Sequence, residues 1–356
     1  MPDPTKSMAA ANTGAGAVRV PLDQAALEQW LREQVPNYAG PLEIAQFNGG
    51  QSNPTYLLTT PGARYVLRRK PPGPLLKGAH DVLREARVLT ALGTIRFPVP
   101  KVLGIEEDEA VIGSAFYLMD MVEGRIFWDA ALESVPIDDR APYFDAMNAT
   151  IAALHSADVE ALGLGSFGRP GNYFMRQIER WSKQYVEDEL AGRDPDMDAL
   201  VQWLPTAIPD GDETSVVHGD FRCDNLIFHP TEPRVLAVLD WELSTLGHPL
   251  ADFAYHAMLY RMPGDIVAGI GGRDPVALGL PTEQQYIATY CRRTGREHID
   301  NWDFYLAFNF FRLAAIVHGI KGRVIRGTAT NAQAKERAKA IPRLSALARE
   351  AMDACR

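Results

Sequence analysis

Two short apolar runs that close on acidic residues constrain this chain more than any other feature. VVHGDFRCDNLIF sets His218, Asp220 and Asn225 in an H-x-D-x-x-x-x-N pattern between strand-like runs. Fifteen residues after Asn225 a further run, VLAVL, ends in Asp240-Trp241-Glu242. An aspartate at the end of a buried strand is expensive unless it meets a cation or a hydrogen-bond network. Two such sites so close in sequence point to one shared pocket; a capped loop around a buried aspartate is the plainer alternative.

Phosphoryl transfer is the chemistry that uses these groups together. Asp220 would accept or orient the proton of an attacking hydroxyl. Asn225 and Asp240 would offer hard oxygen ligands to Mg²⁺ bridging nucleotide phosphates.

The rest of the chain falls into a strand-rich first part and a helical remainder. Asp23 is placed to cap a helix over LEQWLREQ. LEIAQFN, TYLLTT and RYVLRR then read as strands, with Pro61-Gly62 turning the last two into a hairpin. HDVLREARVLTAL has helical apolar spacing, and VPKVLGIEED and SAFYLMDMV are further strands. Helices are expected over about 141–158, 172–190, 282–295 and 302–320. The division predicted is a flexible tail over 1–19, a nucleotide-binding lobe over 20–122, and a catalytic and substrate-binding lobe over 123–356.

With 36 Lys+Arg against 45 Asp+Glu, the net charge of −9 argues against nucleic acid as a partner, which calls for a basic footprint. Three widely spaced cysteines form no disulfide framework, which suits the cytoplasm. The start is polar, without an apolar signal core, and the late apolar stretch Phe304–Ile320 is interrupted by Asn309, Arg312 and His318, so no membrane span is expected. Six acids between Glu187 and Asp198, and eight Lys/Arg from Lys321 to Arg349, read either as solvated helix faces or as an acidic substrate rim and a basic anion patch.

GGQSNPTYLL, YVLRRKPPG, LREARVLTAL, YLMDMVEG, HGDFRCDNLIF and LDWELSTLGHPLADFAY follow one another in this order. Together they resemble the aminoglycoside-phosphotransferase and choline-kinase group of protein-kinase-like small-molecule kinases. Most similar is the branch fused to, or encoded near, acyl-CoA dehydrogenases. The resemblance runs from about Pro21 to Gly322. It implies an α+β, two-lobed protein-kinase-like fold, with a small antiparallel sheet in the N-lobe and a mainly helical C-lobe.

It also assigns roles. Gly49, Gly50, Ser52 and Asn53 would form the turn over the nucleotide phosphates, although a Gly-Gly turn alone is commonly just a hairpin. Arg68 stands where most kinase-like proteins place a phosphate-holding lysine; Lys70, two residues on, is the other candidate cation. Glu85 would pair with Arg68, though read alone it is a solvated helix glutamate. Asp120, Met121 and Val122 would meet adenine through backbone groups at a hinge, with ATP between the lobes. His218 and Asp252 would hold the loop around Asp220, and Glu242 would reach the metal directly or through water.

Other signals carry less. Gly163, Gly165 and Gly168 satisfy G-x-G-x-x-G but follow a helix rather than a strand, so a loop is expected. His155, His229, His248 and His256 lack metal-ligand spacing, and Phe304, Phe308 and Phe311 read as core. The expected function is an ATP- and Mg²⁺-dependent kinase acting on a small hydroxyl-bearing substrate, a hydroxy acid or hydroxyacyl-CoA. The alternatives are an antibiotic kinase for polycationic sugars, or a silent nucleotide-binding module. A protein kinase is disfavoured because no D-F-G…A-P-E segment follows Asp240.

Overall fold

The computed structural model describes residues 14–47, 53–71, 81–267, 269–328 and 334–355, and it divides into two compact units. The first unit takes the described residues up to Phe127, with Glu160–Phe167 and Cys223–Ser244.

Its centre is a six-stranded antiparallel sheet of β1 (Ala15–Gly16), β2 (Glu43–Phe47), β3 (Thr55–Thr59), β4 (Arg64–Arg69), β5 (Val102–Glu106) and β6 (Phe116–Asp120), in the order β1-β2-β3-β4-β6-β5. Thr60 and Ala63 close the β3–β4 hairpin, with Pro61-Gly62 at its tip. Residues 14–19, placed in the expected tail, include β1, which pairs with Phe47 and Gln46; the first thirteen lie outside the described residues.

Strand pleating sorts the side chains by parity. Tyr56 and Leu58 of β3, Tyr65 and Leu67 of β4, and Phe116 and Leu118 of β6 enter one hydrophobic core. Helix α1 (Gln24–Gln34), capped by Asp23 accepting from the Ala26 N–H at 3.0 Å, covers that core with Leu27, Trp30 and Leu31. Each such side chain contributes about 1.5–3 kcal/mol on burial. The Trp30 ring packs edge-on against Phe116 at 4.8 Å, and its N–H donates to Glu106 at 2.8 Å. The opposite parity, with Val66 and Arg68 of β4 and Tyr117 and Met119 of β6, faces a cavity.

Helix α2 (Val82–Thr94), capped by Asp81, packs beside β5 and β6. A hairpin of β7 (Leu226–Phe228) and β8 (Val235–Val238) completes the unit; the two strands pair antiparallel. Arg125 and Phe228 exchange two backbone bonds of 2.8 Å, and the Val238 N–H donates to the Pro98 carbonyl at 2.8 Å. Gly124 allows this approach, since a Cβ there would overlap the Phe228 carbonyl. Those bonds tie residues 124–127 to the hairpin, and both belong to the first unit.

The second unit is mainly helical: α3 (Ala141–His155), α4 (Tyr173–Glu187), α5 (Pro195–Trp203), α6 (Pro249–Ala257), α7 (Glu283–Thr294), α8 (Trp302–Ile325), α9 (Ala334–Ala338) and α10 (Ile341–Ala354). One antiparallel pair, β9 (Ser215–Val217) with β10 (Thr245–Gly247), accompanies them. Phe304, Phe308 and Phe311 of α8 are buried, as their helical spacing requires, and Phe174 of α4 packs on the first two at 5.3 and 5.1 Å.

Both charged stretches make ion pairs or caps inside this unit. Asp188 pairs with Arg326 at 2.8 Å, Asp198 with Arg193 at 2.7 Å, and Asp194 caps α5. Arg343 pairs with Asp265, and Lys339 with Glu336. All three cysteines are free thiols. No helix among the described residues is long and apolar enough to cross a membrane.

Candidate active site

The cavity in the first unit holds about 320 Å³. Apolar walls come from Val66, Leu89, Met119, Ile126, Ile227 and Val238, and the polar groups gather at Arg68, Asn225, Asp240 and Glu242. A pocket mostly apolar with a few convergent polar groups is the usual form of a small-molecule site.

Arg68 organises the polar end. Its Nε lies 3.0 Å from Glu85 Oε2, and its Nη2 lies 3.0 Å from Asp240 Oδ1 and 3.5 Å from Glu242 Oε2. Glu85 is only 2% exposed, and it also accepts from Asn53 Nδ2 at 2.8 Å and from the Tyr117 hydroxyl at 3.2 Å. Burial works against the charge on Arg68, but Glu85, Tyr117, Asp240 and Glu242 outweigh it and hold the guanidinium above its ordinary pKa. For Glu85, burial comes first and Asp240 and Glu242 add to it; against the pull of Arg68 they push the carboxyl up to about 7. One guanidinium thus faces three carboxylates.

Asp240, two residues past the end of β8, begins a turn and has left-handed backbone angles, φ 63° and ψ 61°. Trp241 behind it is 2% exposed, donates to the Val238 carbonyl at 2.9 Å, and packs on Phe97. Rigid packing on one side therefore aims the carboxylate on the other. The oxygens of Asn225, Asp240 and Glu242 form a hard donor set in surplus negative charge, which fits Mg²⁺. Among the described residues no three His, Cys, Asp or Glu form an all-protein metal cage. Mg²⁺ sites commonly have none, because the ion keeps waters and phosphate oxygens.

Asp220 belongs to the second unit. Its Oδ1 accepts from the Tyr255 hydroxyl at 2.6 Å, with Arg222 Nε 3.8 Å away. The Asp252 carboxylate accepts from the N–H groups of His218 and Gly219 at 2.7 and 2.8 Å. Burial pushes the Asp252 carboxyl up, but His155, 3.2 Å away, and His218 outweigh it and lower its pKa. His218 itself is fully buried, and its Nδ1 accepts from the Asp220 N–H at 3.2 Å, a scaffold geometry.

Of the residues singled out in the sequence, Arg68, Asp120, Val122, Asn225 and Asp240 line one cavity, with Glu85 directly behind Arg68. Neither the N–H nor the C=O of Val122 enters a backbone hydrogen bond within the described residues. Asn53, expected at the phosphates, does not line the cavity: it is fully buried and its Nδ2 donates to Glu85. Lys70 lies beyond the end of β4 and pairs with Glu109 at 3.3 Å. Gly49, Gly50 and Ser52 lie outside the described residues. Tyr255 and Arg222 were not expected. Arg222 had a signal in its place two residues after Asp220; Tyr255 had none.

The model of the phosphotransferase enzyme family matches residues 43–306, about three quarters of the chain. The chain belongs to this family. Acyl-CoA dehydrogenase family member 10 of Mus musculus is 44% identical over 330 residues, 92% of this chain but 31% of that protein. The chain spans roughly a third to two fifths of the length of the curated relatives it matches. A solved structure from Ralstonia eutropha JMP134, provisionally named an aminoglycoside phosphotransferase, is 50% identical with a TM-score of 0.87, covering 94% of this chain and 99% of that one. A thermostable mutant of aminoglycoside phosphotransferase APH(4)-Ia, in ternary complex with AMP-PNP and hygromycin B, shares the fold: TM-score 0.59, 15% identity, covering 92% of this chain and 99% of that one. The α+β, protein-kinase-like fold expected from the sequence is therefore the fold of this chain.

Proposed function

We propose that this chain is an ATP- and Mg²⁺-dependent small-molecule kinase that transfers the γ-phosphate to a hydroxyl group of a hydroxy acid or hydroxyacyl-CoA. The observation that carries this reading is Arg68, braced by buried Glu85 in a cavity that also holds Asn225, Asp240 and Glu242. Arg68 is a planar cation that grips phosphate oxygens, and Glu85 fixes its direction. Val122 offers backbone groups to adenine. Asn225 and Asp240 would hold Mg²⁺, with Glu242 beside them. The ion, when bound, would neutralise charge building on the transferred phosphoryl group.

Asp220 would take the proton from the acceptor hydroxyl. As that O–H bond breaks, the oxygen bonds to the γ-phosphorus and the bond to the departing ADP oxygen breaks. Three free thiols suit the reducing cytoplasm as the place of work.

The acceptor class rests on the curated relatives, whose names place them among acyl-CoA dehydrogenases, so an acyl group or its thioester is the chemistry in reach. An antibiotic kinase would want open carboxylates for a polycationic sugar. The acidic run offers few, because Asp188, Asp194 and Asp198 are engaged within their own unit.

Asp220→Ala should lower phosphate transfer by roughly 10²–10⁴-fold while ATP still binds. Unchanged turnover in that variant would refute the assignment. Transfer to 3-hydroxybutyryl-CoA and to kanamycin, measured side by side, tests the acceptor; activity on kanamycin alone reverses it. ATP binding without transfer to any alcohol would favour the silent module.

A further inference from the structure

Helix α6 meets the loop around Asp220 at two points. Asp252 accepts from the backbone N–H groups of His218 and Gly219, and Tyr255, one turn later on the same helix face, donates to the Asp220 side chain. The phenol is buried, and its contact with Oδ1 measures 2.6 Å, at the short end for an O–H···O hydrogen bond. Burial first, and then Asp220, raise the Tyr255 pKa, so the hydroxyl stays a donor at any working pH.

Tyr255 is itself held. The Arg312 guanidinium from α8 lies over its ring at 5.4 Å, and Arg312 Nη2 donates to the Gly219 carbonyl at 3.1 Å. Arg312 is 8% exposed and makes no salt bridge among the described residues, so the aromatic face and this carbonyl are what receive its charge. Two helices thus grip one loop, Asp252 and Arg312 by its backbone and Tyr255 by the reactive side chain.

We infer that Tyr255, steadied by Arg312, is a positioning residue that fixes the Asp220 carboxylate through Oδ1 for proton transfer. The inference rests on the proposed role of Asp220 as base. Losing the hydroxyl leaves the ring and its packing in place but removes the 2.6 Å bond that directs Oδ1. Misplacement of a reacting group by about 1 Å costs on the order of a hundredfold.

The test is a double-mutant cycle on the full chain, reading ADP formation from MgATP with water as acceptor, so that the identity of the alcohol does not matter. Tyr255→Phe should lower kcat about tenfold or more, leave KM for MgATP unchanged, and have no further effect in the Asp220→Ala background. A wild-type rate for Tyr255→Phe, or the same fold-loss in both backgrounds, overturns the inference. Should Asp220→Ala itself turn over like the wild type, the base assignment fails instead, which is a separate outcome. If Tyr255→Phe does not fold, Arg312→Met takes its place in the same cycle, where a lower kcat that vanishes in the Asp220→Ala background supports the inference and a wild-type rate overturns it.

Discussion

Glu85 carries a proton affinity out of keeping with an ion-paired carboxylate, and Glu85→Gln turns that into a measurable curve. The carboxyl goes from an ordinary 4.5 to about 7 in the folded chain. Between these values the folded protein holds a proton that the unfolded chain has released. Stability from this group is therefore complete below about 4.5 and is lost as pH rises through 7. A shift of two to three units corresponds to about 3 kcal/mol.

Glutamine keeps the shape of the side chain and does not titrate, so the variant lacks this dependence. Unfolding free energies of both proteins, from urea titrations at pH 5, 6, 7 and 8 with EDTA present, should show the variant gaining on the wild type as pH rises. The gain should approach about 3 kcal/mol across the window. Groups remote from Glu85 cancel in the difference, which leaves Glu85 and the Arg68, Asp240 and Glu242 cluster around it. A difference that stays flat, or falls with pH, would refute the placement of three carboxylates around one buried guanidinium. Transfer activity should fall in the same variant, because Arg68 loses the partner that directs it.

Two further outcomes test the scaffold. Burial lowers the His248 pKa to about 4, so below pH 6.5 the unfolded chain binds a proton that the folded one refuses, and stability falls toward pH 4. His248 also caps α6 through Nδ1, a role asparagine can take, so His248→Asn should be less acid-sensitive by about 2–3 kcal/mol between pH 7 and 4.5; equal acid loss would count against the buried neutral ring. Gly124→Ala should destabilise the protein by about 1–3 kcal/mol in chemical denaturation, because the new Cβ meets the Phe228 carbonyl; wild-type stability would refute that close approach.

Much of the site was legible because its residues sit in short local patterns: the H-x-D-x-x-x-x-N loop, the acid after VLAVL, and the arginine inside a hairpin strand. Sequence favours Arg68 over Lys70 but leaves the phosphate-holding cation open, since positions two apart share a strand face only while the strand lasts. β4 ends at Arg69; the Lys70 N–H still bonds in register to the Ala115 carbonyl, but its side chain pairs with Glu109 and does not line the cavity. Glu85 reads as a surface glutamate by residue type. Yet it falls on the stripe of Val82, Ala86, Leu89 and Leu92, all buried, so helical periodicity already pointed inward. The charged runs show a different limit. Their partners, Asp188 with Arg326 and Arg343 with Asp265, are distant in sequence, and no window of sequence displays such pairs.

The backbone at Asp240 connects strain, charge and the proposed reaction. A left-handed conformation costs a non-glycine residue about 1–2 kcal/mol, and glycine would adopt it without that cost. Aspartate tolerates this conformation better than most residues, and here the turn sets its carboxylate at the polar end of the cavity. What it meets is Arg68, already paired with Glu85 and approached by Glu242. Three carboxylates against one guanidinium leave the pocket short of positive charge; burial first, and then the charges of Asp240 and Glu242, raise the Glu85 pKa to about 7. Such a pocket repels bare nucleotide phosphate. Under the proposed function it accepts phosphate only when a divalent cation arrives with it, which makes the metal–nucleotide complex, rather than ATP alone, the species this cavity is built to receive.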